Sequence, residues 1–309
     1  MRTLTITAAL TAAAAATLTG CGNLSFGTHH EDRTYSAPAN VTTLKIRGGG
    51  DVQITTSDSP GIKVRERLRW SNDKNKPTLR HVTKGDTVTL SNQCARATIG
   101  VTQCGVSYRV QVPKATPVEV DTEDGSITAS GLGGTVKLHS DNGALRVTDL
   151  RATSVSLSTN DGAIHASGHA KIADLYSDNG AISATGLTTD RLTARTRDGD
   201  IDFGGRATVA DVSTANGSIE AGGLTSDRLT AKTDNGSVDL RLTTPPSGVR
   251  ATSANGTVQV RVPTGQSYAI SASSINGGEQ IDSAFRQDST SGRSIHVRSA
   301  NGDVAVLPA

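Results

Sequence analysis

From residue 113 onward the chain repeats one pattern: apolar residues two apart, a corner containing glycine, then apolar residues two apart again. Aligned on the glycine that follows Asn or Asp, the corners fall at Gly125, Gly143, Gly162, Gly180, Gly199, Gly217, Gly236 and Gly256. Successive spacings are 18, 19, 18, 19, 18, 19 and 20 residues, and a further clean corner lies at Gly302. Ahead of the glycines stand pairs such as Val118 and Val120, Val136 and Leu138, Val155 and Leu157, and Leu229 and Ala231. Two residues after them stand Ile127, Leu145, Ile164, Ile182, Ile201, Ile219, Val238 and Val258. Alternation with period two is the mark of a short strand with one face on a core and the other in water.

A fixed period of this length predicts an all-β solenoid with 18–19-residue coils over residues 113–309. The rival is a series of hairpins, for which Asn-Gly is the strongest short-range signal. Hairpins alone do not impose one inward phase on both flanks of every corner, whereas stacked coils do. Right-handed winding is expected, as for parallel strands joined by a crossover. Asn and Asp tolerate the left-handed backbone and Gly adopts it freely, so each pair can turn the chain sharply between two strands. The segments "NGAISATGLTTDRLTARTRDG" and "NGSIEAGGLTSDRLTAKTDNG" are near-duplicates 37 residues apart, a two-coil unit. The pattern drifts at the end: Asn276-Gly277 is followed by Glu279 where an apolar residue is expected, and residues 277–300, with Phe285, are predicted to cover the C-terminal end. Residues 41–112 contain strand-like runs without the period and read as irregular N-terminal β coils or a cap.

The start of the chain changes the picture from fold to address. Residues 1–20 pair Arg2 with an Ala/Leu/Thr-rich stretch and a small-residue site, the pattern of an export signal. "LTGC" ending at Cys21 has the form of a lipobox, which places a lipid on Cys21 and the protein on the extracytoplasmic face of the cell membrane. Residues 21–40 lack apolar periodicity and read as a flexible tether, with His29 and His30 as solvated tether residues. Beyond Cys21 only Cys94 and Cys104 remain, and in an oxidising compartment they are expected to form a disulfide. With 31 basic against 29 acidic residues there is no electrostatic case for nucleic acid.

The lipoprotein start, the segment "CGVSYRVQVP" leading into "DGSITASGLGGTVKL", and the [DN]-G-x-[IV] corners together resemble the bacterial adhesin-like domain family called toastrack, over roughly residues 41–309. The resemblance implies a right-handed single-stranded β-helix on exported or membrane-anchored proteins. It carries no catalytic residues to transfer.

Candidate chemistry is therefore sought in the corners and outward strands. Glu123, Asp124, Asp141, Asp161, Asp178, Asp198 and Asp234 are the acidic candidates for a polysaccharide lyase or hydrolase, and their turn role accounts for them without catalysis. Stacked corner carboxylates are also candidate calcium ligands, although Arg197, Ala215 and Ala254 interrupt the row. His139, His165 and His169 fall in neighbouring coils as surface residues. Arg191, Arg195, Arg228 and Lys232 recur in the duplicated unit and could line up as a basic strip facing anionic wall polymers or lipid headgroups. The reading that results is a non-enzymatic adhesion, binding or envelope-associated scaffold with no cofactor, no metal and no catalytic residue. Its partners are the membrane through the N-terminal lipid, and envelope polymers, surface proteins or a second copy of the chain. The alternative is a polysaccharide-active enzyme built on the same fold.

Overall fold

The structure, a computed structural model, describes residues 29–71, 73–94 and 103–309; the export signal and Cys21 lie outside the described residues. The N-terminal strands are β1 (His29–Ser36), β2 (Thr43–Arg47), β3 (Val52–Ser57), β4 (Lys63–Trp70), β5 (Thr78–Lys84), β6 (Thr87–Gln93), β7 (Cys104–Pro113), β8 (Val118–Thr122), β9 (Ile127–Ser130) and β10 (Thr135–Ser140). The long strands β11 (Leu145–Thr159), β12 (Ile164–Ser177), β13 (Ile182–Asp198) and β14 (Ile201–Asn216) follow. The shorter β15 (Ile219–Leu224), β16 (Arg228–Asn235), β17 (Val238–Leu242), β18 (Gly248–Asn255) and β19 (Val258–Val262) come next. The last are β20 (Ser267–Asn276), β21 (Glu279–Ile281), β22 (Arg286–Gln287), β23 (Ser294–Asn301) and β24 (Val304–Pro308). The fold is all-β with mixed pairing. The pairs β1–β4, β4–β7 and β5–β6 are antiparallel, and the pairs from β8 onward are parallel.

Parallel partners share their position in the sequence repeat. Val118, Val136, Val155, Ala173, Leu192, Ala210, Leu229 and Val249 are successive register partners, and so are Ile127, Leu145, Ile164, Ile182, Ile201, Ile219, Val238 and Val258. Every one of these side chains is buried, so stacked tiers share one continuous aliphatic core while the alternate positions face water. Shifting a strand by one residue would turn its apolar set outward, and this cost pins the register.

The tiers are not stacked in chain order at either end. The first, β2–β3, lies between β6–β7 on one side and β8–β9 on the other. At the far end β23–β24 pairs with β18–β19 and with β20–β21, so the last tier is inserted inside the penultimate one. Composition explains the order. The inserted tier contributes Ile295, Val297, Val304 and Val306, all buried, whereas the outer one carries Glu279 in the column that holds Val258 and Val304. Burying that carboxylate between two tiers would be costly; at the end it is exposed and accepts a hydrogen bond from the Ser274 amide at 2.8 Å.

Phe285 does pack over this end, edge-on to Tyr268 with ring centroids 6.1 Å apart, and β22 pairs with β20 beside it. Residues 294–300, however, belong to the inserted tier and not to the covering segment. The N-terminal expectation needs a larger correction. Residues 29–36, read as tether, form β1 along the whole of β4, from His29 opposite Trp70 to Ser36 opposite Lys63. His29 and His30 are exposed, as expected, but they belong to β1 rather than to a tether, and the His29 ring stacks on Trp70 at 5.6 Å. Antiparallel pairing with an existing strand satisfies the β1 backbone without needing an apolar stripe.

Candidate functional site

The corners form a single column. A Cβ added at Gly125 would fall on the carbonyl of Gly50, one at Gly143 on that of Gly125, and the same holds in turn for Gly162, Gly180, Gly199, Gly217, Gly236 and Gly256. The column continues through Gly302 and ends at Gly277. Gly125, Gly143, Gly162, Gly180 and Gly199 do not have a left-handed backbone, and the only non-glycine residue with positive φ among those described is Asp149. At these five corners glycine is required by the approach of successive backbones alone, whereas at Gly217, Gly236, Gly256 and Gly302 a positive φ of 150–158° requires it as well. Gly50 heads the column although its neighbours, "GGGD", lack the corner signature.

Two hydrogen-bond ladders run beside the glycines. Three residues before each glycine stands a small hydroxyl side chain that donates to the glycine carbonyl of the adjacent tier: Ser140 to Gly125 at 2.9 Å, Thr159 to Gly143 at 3.1 Å, Ser177 to Gly162 at 3.0 Å and Thr196 to Gly180 at 2.9 Å. Thr214, Thr233, Ser253, Ser299 and Ser274 continue the series. Outside it runs an amide ladder: Asn142 donates to Asp124, Asn160 to Asp141, Asn179 to Asp161 and Asn216 to Asp198, at 2.5–3.0 Å. Asn235, Asn255, Asn301 and Asn276 extend it as amide-to-amide bonds. Four of the acidic candidates thus act as acceptors that tie one tier to the next. Asp178 instead accepts from the Tyr176 hydroxyl and pairs with Arg197, and Asp234 pairs with Lys232. Among the described residues no group of three or more His, Cys, Asp or Glu is placed to hold a metal ion.

The other sequence-derived candidates do not converge. His139 contacts Ser158 and Asp141, while His165 and His169 lie along different parts of β12, opposite Arg146 and Arg151. Partial burial, then the charge of Arg146, hold His165 below its ordinary value. The basic strip is interrupted: Val209 lies between Arg191 and Arg228, Ser213 lies between Arg195 and Lys232, and Arg195 faces Asp211 at 3.5 Å. Cys94 and Cys104 are joined in a disulfide that links the end of β6 to the start of β7.

Two features of the N-terminal region had no clear signal in the sequence. Glu66 occupies an inward position of β4 and is 1% exposed; its Oε1 lies 2.7 Å from His81 Nε2, and its Oε2 has no partner among the described residues. Tyr35 packs against the His81 ring at 4.2 Å, and burial, then the Glu66 charge, push the Tyr108 hydroxyl far up from its ordinary value. On the opposite face of β4, the alternating run "KVRERLRW" points Lys63, Arg65, Arg67 and Arg69 outward. Arg109 of β7 stands directly opposite Arg65. Two shallow concavities, of about 460 and 410 Å³, both contain Arg65, Arg109 and Gln53.

The fold and corner define a class: tiered all-β proteins whose tiers are joined through a glycine column. Within that class the chain belongs to the toastrack family, matching the model described as "Toastrack DUF4097" over residues 41–205 and 203–307. Solved structures with a similar arrangement include a "putative adhesin" of Bacteroides fragilis, 15% identical, covering 91% of this chain and 97% of that one with a TM-score of 0.42. A "putative adhesin" of Parabacteroides merdae is 15% identical, with coverages of 90% and 96% and a TM-score of 0.48. A "putative lipid binding protein" of Parabacteroides distasonis is 12% identical, with coverages of 90% and 96% and a TM-score of 0.47. No curated protein matches the chain.

Proposed function

We propose that the protein is a non-enzymatic scaffold, anchored by lipid on Cys21 to the extracytoplasmic face of the membrane, whose tiers are turns of one right-handed β-solenoid. The observation that carries this reading is the use of the corner carboxylates: Asp124, Asp141, Asp161 and Asp198 accept hydrogen bonds from the neighbouring tier, a role that recurs along the column. A paired acid and base would instead depart locally from the repeat. The disulfide suits the oxidising side of a membrane. The scaffold offers repeated outward rows to envelope polymers, surface proteins or a second copy of the chain.

Fractionation tests the anchor. The wild type is expected in the membrane fraction with a lipid-modified Cys21 as its mature N-terminus, and Cys21→Ser is expected to release it from that fraction. A wild-type chain recovered unlipidated, with its mature N-terminus elsewhere, would refute the anchor.

A further inference from the structure

The outward face of β4 and β7 gathers positive charge in a way that folding alone does not favour. Arg65 and Arg109 are direct cross-strand neighbours, and like charges so placed are destabilising. Lys63 and Arg69 flank them on β4. Arg67 is bound to Asp32 through Nε at 2.9 Å and Nη2 at 3.3 Å, and Asp32 is held below the usual carboxylate range by that bond. Lys63, Arg65, Arg69 and Arg109 have no ion-pair partner among the described residues, and all four are exposed.

The same outward row changes sign along the tiers. Through successive register partners it runs from Arg65 and Arg109, by way of Arg146, to Asp202, Glu220 and Asp239, the last paired with Arg261 at 2.6 Å, and on to the uncharged Gln259 and Ala305. The basic end is also where the chain leads to the anchor. β1 lies on β4, and only seven residues separate its first residue, His29, from Cys21. The eight steps from one to the other span at most about 28 Å, so an anchored chain holds this end, and not the acidic one, close to the bilayer.

We infer that the face formed by β4 and β7 is the surface by which the protein lies against an anionic phospholipid bilayer, with Arg65 and Arg109 as its centre; the argument from proximity rests on the anchoring proposed above. Basic residues gain from the negative potential of a bilayer only within about a Debye length, roughly 8 Å at physiological salt. The short lead permits that approach, and Asp202 and Glu220 further along the row disfavour laying its other end on the bilayer.

The test uses the chain from residue 21 onward carrying Cys21→Ser, so that no lipid contributes; every described contact lies within it. Sedimentation is measured with vesicles of phosphatidylcholine and phosphatidylglycerol, and with vesicles of phosphatidylcholine alone. The expected result is salt-sensitive binding to the first and none to the second. Arg65→Gln with Arg109→Gln should weaken that binding by about tenfold or more. Arg65→Lys with Arg109→Lys should restore it, and the distant pair Arg250→Gln with Arg298→Gln, exposed on β18 and β23, should leave it unchanged. Matching thermal melts establish that each variant is folded. Three results would overturn the inference: equal binding to neutral vesicles, equal weakening by the distant pair, or binding of soluble poly(glycerol phosphate) through Arg65 and Arg109 with no binding to vesicles. Lipidation is read separately from the mass of the cellular N-terminal peptide, so failure of the anchor and failure of the face are distinguishable.

Discussion

Replacing Gly180 tests why the column is made of glycine. A Cβ at this position would lie within 3.0 Å of both the Gly162 carbonyl and the Ser177 hydroxyl, and backbone cannot yield as a flexible side-chain tip can. Relief requires the tiers to separate locally. That separation breaks the bond from Ser177 Oγ to the Gly162 carbonyl, 3.0 Å, and displacement of the Ser177 hydroxyl by the new Cβ breaks the one from the Gly180 amide to Ser177 Oγ, 2.9 Å. Two such bonds contribute about 2 kcal/mol net, and overpacking adds about 1–3 kcal/mol. Gly180→Ala is therefore expected to cost about 3–5 kcal/mol. With a urea m-value of about 3 kcal/mol/M, the midpoint should fall by about 1–1.7 M, followed by far-ultraviolet circular dichroism. Gly222→Ala is the control, because its added Cβ meets no atom within 4 Å and its backbone is not left-handed; its change should stay within about 0.5 kcal/mol. The discriminating variant is Gly180→Asn. Asn is at home in a left-handed turn but carries a Cβ, so close stacking predicts a loss at least as large as for Ala. A Gly180→Asn protein that unfolds at the wild-type midpoint would refute the argument.

The remaining predictions concern register and the buried carboxylate. Deleting residues 200–236 removes two tiers of the repeat and joins Gly199 to Ser237 in phase, so the shortened chain should stay β-rich and cooperative by circular dichroism. Deleting residues 200–210 breaks the phase and should give aggregation or loss of structure, and equal behaviour of the two deletions would disprove the proposed solenoid. His81→Ala removes the one side-chain partner that Glu66 Oε1 has among the described residues and leaves the carboxylate buried, which should cost about 3–5 kcal/mol in urea melts. Adding Glu66→Leu to His81→Ala should recover much of that loss, whereas a double variant as unstable as His81→Ala alone would count against a charge-burial origin.

The sequence by itself determined the repeat and its inward positions, because a period of two within a period of 18–19 leaves one side of each strand apolar. Ile127 through Val258 are buried as that pattern requires. It also determined the disulfide partners, since Cys94 and Cys104 are the only cysteines beyond Cys21. The hydroxyl ladder was equally legible, as Ser or Thr stands three residues before each glycine from Thr122 to Ser299, but its meaning depends on a carbonyl from a different tier. Contacts between distant segments were decided only in the tertiary structure. The run "HHEDRTYS" carries no apolar stripe and becomes a strand because β4 offers it an edge. The last tier is inserted inside the one before it because one of the two carries Glu279 and the other does not. Arg65 and Arg109, 44 residues apart, form a like-charged pair only because β4 and β7 run antiparallel at that register. Local pattern specifies which face of a strand is buried; which strands become neighbours depends on the relative free energies of whole tiers, a quantity no single window of sequence contains.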